Sequence, residues 1–71
     1  MSKELLKKFA NKLKSLRTER NLTQEDLATD SNISRSTIAM IESKRRDVTL
    51  DKIERISNAL KIEPKELFDY D

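Results

Sequence analysis

The chain has 71 residues, a net charge of +2, and neither Cys nor His. The missing thiols and imidazoles exclude disulfides and remove the preferred ligands of structural zinc, so we expect no metal site and no cofactor. We also expect a single domain over residues 1–71, too small to bury a large core. No apolar run approaches the ~18 residues that span a bilayer, and the charged start is unlike a signal peptide, so the expected location is the cytoplasm.

Charge is unevenly distributed along the chain. Residues 1–46 hold 11 basic and 6 acidic residues, whereas residues 47–71 hold 4 basic and 7 acidic residues. A polarised charge of this kind can place one face against a polyanion, although ordinary surface charge explains it equally well. Gly is absent and Pro64 is the only Pro, which argues against β-hairpins, P-loops and dinucleotide-binding turns.

Apolar residues recur at helical spacing along almost the whole chain, and they begin with a predicted helix over about residues 3–20. Its apolar stripe consists of Leu5, Leu6, Phe9, Leu13 and Leu16. Asn21 follows, and Asn suits the left-handed conformation at the end of a helix. Thr23 is then the predicted N-cap of a short helix over about residues 24–31, whose first turn carries two carboxylates.

The next helix is predicted to begin after a break at Asn32. Ser34 is its expected N-cap, and the helix covers about residues 35–43. An exposed basic turn, Lys44 to Arg46, comes after it.

Two further helices are predicted in the last third of the chain. Thr49 caps the first of them, over about residues 50–61, whose apolar face consists of Leu50, Ile53, Ile56 and Leu60. Pro64 suits the start of the second, over about residues 65–69. Five short helices joined by short turns predict a compact all-α domain.

Residues 24–43, QEDLATDSNISRSTIAMIES, meet the local demands of a helix-turn-helix. Ala28 supplies a small residue where the two helices cross, and Asn32 can adopt the left-handed conformation that the turn needs. The apolar residues that bracket the turn and face inward are Leu27, Ile33, Ile38 and Ile41. Small or polar residues begin the second helix, so its outward surface is open to DNA.

This segment, with Arg17 before it and TLDKIERISNALKIEPKELF after it, resembles the phage repressor and Cro-like (XRE-type) helix-turn-helix family. The resemblance covers about residues 9–68. It implies a compact five-helix fold like that of lambda repressor, with the helix-turn-helix at helices 2 and 3. It further implies a bacterial or phage-encoded regulator of transcription that binds double-stranded DNA sequence-specifically, as a homodimer on a two-fold operator.

The sequence departs from the family pattern in its turns. The family usually has Gly at the positions of Asn21 and Asn32, and an Asn-Gly-like pair near Ser43 and Lys44. It often has Pro near Val48. The lack of that Pro is shared with the controller proteins of restriction–modification systems, which makes this subgroup one interpretation of the chain.

Three residues are predicted to read bases from the helix that begins at about residue 35, which is called the recognition helix below. Arg35 stands at its exposed start, where a guanidinium can contact O6 and N7 of guanine together, although a phosphate-binding or solvated Arg is the alternative. The resemblance adds Ser36 and Met40 on the same outward face. Met40 can pack on a thymine methyl group or cover the edge of the core.

Phosphate contacts are expected around the same helices. Gln24 begins the second helix, where free N–H groups attract anions, and the resemblance implies that it also braces the recognition helix. The other predicted phosphate-binding residues are Ser34, Thr37, Lys44, Arg45 and Arg46. For the basic turn, the alternative is a solvated run of charge.

The resemblance also implies two structural roles. Arg17 and Glu42 are expected to form an ion pair that orients the recognition helix without binding DNA. The residues expected at a C-terminal homodimer interface are Ile62, Phe68 and Tyr70. The alternative is that this end of the chain closes the core of the monomer, as Leu67 is expected to do.

Other functions remain open at this stage. An antitoxin that binds both DNA and a toxin protein fits the same features, and a helical interaction domain that does not bind DNA is a third possibility. An enzyme is not expected, because the chain has neither His nor Cys and no apolar pocket that would shift the pKa of a carboxylate. We expect no membrane partner and, without a sensing domain, no small-molecule ligand.

Overall fold

The computed structural model describes residues 1–70, and its fold is built from four α-helices. The helices are α1 (Lys3–Glu19), α2 (Gln24–Ser31), α3 (Arg35–Glu42) and α4 (Leu50–Leu60). A hydroxyl side chain caps the start of each one by accepting a hydrogen bond from a backbone N–H of the first turn. The caps predicted at Thr23, Ser34 and Thr49 are therefore confirmed.

The prediction of five α-helices is wrong at the C-terminal end. The last segment, Pro64–Phe68, is a 3₁₀ helix of 5 residues. A segment this short leaves little room for bonds between residues four apart, and 3₁₀ geometry is common in such short pieces. The all-α class is correct, since residues 1–70 contain no strand.

One apolar cluster lies where the four helices and the 3₁₀ segment meet. α1 packs against α3 and the 3₁₀ segment, while α2 packs against α3 and α4. The fully buried members are Phe9, Leu13, Leu27, Ile38, Ile41, Ile56 and Leu67. α2 and α3 therefore pack on the same apolar core, and the start of α3 stays at the surface.

Two leucines predicted to face the core lie at the surface. Leu5 is 38% exposed, because the buried positions of α1 begin with its neighbour Leu6, about 100° away around the helix. Leu50 is 84% exposed. It is the first residue of α4, and helical side chains lean towards the N-terminus, so Leu50 extends past the end of the helix. Val48, two residues earlier, is buried.

Four residues adopt the left-handed conformation without being Gly. Asn21 and Asn32, with φ of 57° and 56°, were predicted to do so, and both predictions are confirmed. Lys44 and Lys61 adopt it as well, with φ of 67° and 60°. No helix within residues 1–70 is long and apolar enough to cross a membrane.

Candidate nucleic-acid interface

The turn between α2 and α3 is held from both sides. The Ile33 amide donates to the carbonyl of Ala28 at 3.1 Å, which closes the end of α2 around the left-handed Asn32. From outside, Arg55 on α4 donates to the Asn32 carbonyl at 3.3 Å, and Asp51 pairs with Arg55 at 3.0 Å. Arg55 had no signal in the sequence, because its contact depends on how α4 packs.

Hydroxyl groups organise the start of α3. Ser34 accepts from the Thr37 amide at 3.2 Å and donates to the Thr37 hydroxyl at 2.8 Å, while Ser36 lies 3.3 Å from Ser34. Ser34 and Ser36 are exposed, so both remain accessible. Thr37 is buried, and its position favours fixing the start of α3 over the phosphate contact predicted for it.

The predicted base-reading residues share the outer side of α3. Arg35 and Ser36 are exposed, and Met40 is half-buried. Arg35 lines two adjoining clefts between α2 and α3, one of about 490 Å³ and one of about 450 Å³. A long guanidinium side chain at the mouth of these clefts can extend away from the protein towards a ligand.

Behind α3, a buried ion pair joins α3 to α1. The Arg17 guanidinium donates to both carboxylate oxygens of Glu42, at 2.7 Å and 2.9 Å, and to the carbonyl of Leu22 at 2.6 Å. Its hydrogen bond to Glu42 raises the pKa of Arg17, so the cation is retained despite burial. The predicted ion pair is present, and it links α1 to the end of α3.

Gln24 belongs to the same network. Its side-chain amide donates to Glu42 at 3.1 Å, which braces the start of α2 against the end of α3. Gln24 is half-buried and lines the larger cleft together with Arg17, Thr23 and Arg35. The amide group has two N–H donors, so one can hold Glu42 while the other is free for an anion.

The predicted basic turn directly follows α3. Lys44, Arg45 and Arg46 are exposed, and the Arg45 amide donates to the Met40 carbonyl at 2.9 Å. The left-handed Lys44 ends the helix and directs the chain away from it. Three cations therefore follow the C-terminal end of α3, while Arg35 stands at the other end.

The C-terminal residues form an aromatic cluster against α1. The Phe68 ring lies 5.3 Å from the Phe9 ring and 6.4 Å from the Tyr70 ring, centroid to centroid. Phe68 is 37% exposed, whereas Leu67 is fully buried. Tyr70 is half-buried, with the Lys8 ammonium 6.0 Å from its ring centroid, and burial raises the pKa of Tyr70. Ile62 is half-buried and packs on the core.

This geometry belongs to a known family. The family model HTH_3, a helix-turn-helix, matches residues 13–67. The chain belongs to the helix-turn-helix family. The match spans both helices of the candidate interface and the core beneath them.

Three relatives are similar to this chain in sequence over most of their own length. Control protein C.BamHI of Bacillus amyloliquefaciens is 41% identical over 63 residues, which is 87% of this chain and 78% of that protein. The restriction–modification controller protein C.AhdI from Aeromonas hydrophila is 44% identical in sequence. Its crystal structure matches with a TM-score of 0.87 over 89% of this chain and 96% of that one.

The third relative was solved on DNA. C.Esp1396I bound to a 25 base pair operator site is 38% identical, with a TM-score of 0.82 over 90% of this chain and 84% of that one. The chain is therefore a DNA-binding regulator of transcription and not an enzyme, as its sequence predicts.

Proposed function

We propose that this regulator is a controller protein of the restriction–modification type that binds a two-fold operator as a homodimer. The single observation that carries the proposal is the exposed Arg35 at the start of a helix braced by the Arg17–Glu42 pair. The likeness in sequence to control protein C.BamHI, and in sequence and fold to the controller proteins C.AhdI and C.Esp1396I, supports this subtype. None of these three is an antitoxin by name, so that alternative is not carried forward.

Base reading is assigned to the outer face of α3. Arg35 can place its planar pair of donors against O6 and N7 of guanine, the commonest specific contact in the major groove. Ser36 is exposed beside it and can bond to a base edge. Met40 is half-buried, which leaves one side of its thioether chain to pack against a thymine methyl group.

Phosphate binding is assigned to the two ends of the same surface. At one end, the free N–H groups of α2 and the second amide proton of Gln24 can hold a phosphate. At the other end, Lys44, Arg45 and Arg46 are exposed cations that can flank the groove. These contacts fix the position of α3 on the duplex and carry no sequence information themselves.

The homodimer is assigned to the C-terminal surface around Phe68. Phe68 is 37% exposed and its ring lies beside the half-buried Tyr70, which suits an interface core. The half-buried Ile62 is a further candidate. A single recognition helix covers too few base pairs for specificity in a genome. Two helices about 34 Å apart on one face of the duplex solve this problem.

Selection from a random pool of duplexes tests the proposal. The protein is incubated with the pool at moderate salt, and bound duplexes are sequenced over several rounds. We expect a motif with two related half-sites, each with a conserved guanine opposite Arg35. A pool that shows no enrichment, or a motif without internal symmetry, would contradict the homodimeric controller.

A further inference from the structure

Glu25 is an acidic residue on a surface that is otherwise suited to bind an anion. It is exposed and lines the larger cleft with Arg17, Gln24 and Arg35. It also lines the second cleft with Arg35. Glu25 and Arg35 are thus the two residues common to both clefts, so they stand along the line where the clefts meet.

The two charged side chains line the same clefts without being paired. Glu25 and Arg35 share both clefts but form no ion pair, unlike Arg17 and Glu42. Glu25 is also the second residue of α2, where the helix dipole favours a carboxylate. Measuring the unfolding free energy of a Glu25 variant separates this local effect from an effect on DNA binding.

We propose that Glu25 determines specificity by keeping Arg35 from binding phosphate. A phosphate held by Arg35 within the clefts would lie near the Glu25 carboxylate, and the two negative charges would repel each other. A guanine edge is neutral, so Arg35 can extend to O6 and N7 without that repulsion. The phosphate assigned to Gln24 and the start of α2 is bound on the operator and on unrelated DNA alike, so its repulsion by Glu25 cancels in the ratio of the two affinities. The repulsion of a phosphate on Arg35 does not cancel, because Arg35 binds a guanine edge on the operator. This inference rests on the proposed role of Arg35 as a base reader.

Glu25→Gln tests the proposal because it removes the charge and keeps the shape. Binding is measured by fluorescence anisotropy on the selected operator and on an unrelated duplex of the same length. We expect affinity for the unrelated duplex to rise about three- to tenfold per dimer, as estimated for a unit charge removed at the surface of each protomer. Affinity for the operator should change less, so the ratio of the two should fall.

Glu4→Gln is the matched control. Glu4 is exposed, is the second residue of α1, and lines neither cleft. It carries the same charge at the same position in its helix, so it reports the general effect of adding one positive unit to the net charge. We expect Glu4→Gln to change both affinities by nearly the same small factor and to leave their ratio intact.

The double variant Glu25→Gln with Arg35→Ala shows whether Glu25 acts through Arg35. In the Arg35→Ala background, Glu25→Gln should no longer change the ratio of the two affinities. An unchanged ratio in the single Glu25→Gln variant would overturn the proposal. A changed preference at a base pair that Arg35 does not read would also overturn it, because Glu25 would then contact a base itself. A wild-type protein without sequence preference would instead refute the proposed function.

Discussion

Arg17 and Glu42 lie 25 residues apart in sequence and meet in a doubly hydrogen-bonded ion pair, with distances of 2.7 Å and 2.9 Å. Their side chains are 9% and 3% exposed, so water does little to screen or solvate either charge. Both carboxylate oxygens and three guanidinium nitrogens are bonded, since Leu22 accepts from the third nitrogen. The pair ties the recognition helix to α1 and fixes its orientation.

The first prediction concerns the removal of one partner. Glu42→Ala leaves the Arg17 cation buried without its partner, and breaking such a pair costs about 3–5 kcal/mol of unfolding free energy. Urea denaturation followed by circular dichroism measures this decrease. Replacing both residues, with Arg17→Met and Glu42→Leu together, should recover most of it, because no unpaired charge remains buried. A decrease below about 1 kcal/mol for Glu42→Ala would show that water reaches Arg17.

A second prediction follows from the capping box of α2. The backbone amide of Thr23 donates to the Asp26 carboxylate at 2.9 Å, and this bond, with help from the Thr23 side chain, lowers the pKa of Asp26. A folded-state pKa below the unfolded one means that the stabilisation is complete above the unfolded value of about 3.9. It disappears as the pH falls through the folded value.

NMR titration of the Asp26 carboxyl carbon measures this directly. Thr23→Ala removes the hydroxyl but keeps the amide, so the pKa of Asp26 should return part of the way towards its ordinary value. The same substitution should lower the unfolding free energy by about 1 kcal/mol, because it removes the N-cap. An Asp26 carboxyl that titrates at or above its ordinary value would contradict the capping box.

The third prediction uses the left-handed Lys61. Its φ of 60° and ψ of 44° end α4, and its amide and the amide of Ile62 bond back to the last turn. A side chain in this conformation costs about 1–2 kcal/mol, which Gly avoids. Because Gly also stabilises the unfolded chain by roughly 0.4–1 kcal/mol, Lys61→Gly should raise the unfolding free energy by about 0.5–1 kcal/mol.

Lys14→Gly is the control for this substitution. Lys14 is exposed in the middle of α1, where Gly should lower the unfolding free energy by about 1 kcal/mol. The midpoints of thermal and urea denaturation should therefore rise for Lys61→Gly and fall for Lys14→Gly. Shifts of the same sign would mean that Lys61 is not under strain in solution.

The helices and their starts were predictable because their signals are local. The hydroxyls of Thr23 and Ser34 each accept a hydrogen bond from a backbone N–H three residues later, in the first turn of the helix. This preference belongs to the residue type itself, so the sequence alone indicates these caps. Asn32 tolerates the left-handed conformation better than most residues, which identified the turn. Lys44 and Lys61 have no such preference, so nothing in the sequence around them indicates their left-handed conformation.

The candidate site was predictable only in part, for a related reason. The resemblance indicated which side chains share the outer face of α3, starting with Arg35. It did not indicate that Thr37 would be buried or that Arg55 would reach the turn through the Asn32 carbonyl. Both depend on distances between helices. The helix predicted over about residues 65–69 is a 3₁₀ helix over Pro64–Phe68, because hydrophobic spacing over five residues cannot separate an α-helix from a 3₁₀ helix.

The fourth prediction separates the core from the proposed dimer interface. Leu67 is fully buried and Phe68 is 37% exposed. Leu67→Ala should lower the unfolding free energy of the monomer by about 2–5 kcal/mol. Phe68→Ala should chiefly weaken the dimer, by about tenfold or more if Phe68 anchors the interface. Sedimentation equilibrium and urea denaturation measure the two effects, and a monomer at high concentration, both free and on DNA, would refute the interface.

The fifth prediction compares two arginines of equal charge. Arg35 and Arg45 are both exposed, one at the start of α3 and one in the basic turn after it. Arg35→Ala should cost about 1–3 kcal/mol on the selected operator and relax the preference at one base-pair position in each half-site. Arg45→Ala should weaken binding to all sequences about equally. It should also reduce the slope of log affinity against log salt concentration by about one unit for each phosphate that Arg45 neutralises.

Arg35→Lys distinguishes charge from shape at the same position. An ammonium keeps the positive charge of Arg35 but cannot present two coplanar donors to O6 and N7 of guanine. The variant should therefore keep most of its affinity for unrelated DNA and lose discrimination on the operator. Binding isotherms for the three variants, on the operator and its single-base variants at several salt concentrations, provide the comparison. If Arg35→Ala left the sequence preference intact while Arg45→Ala altered it, the basic turn would be the reading element, and α3 would only support it.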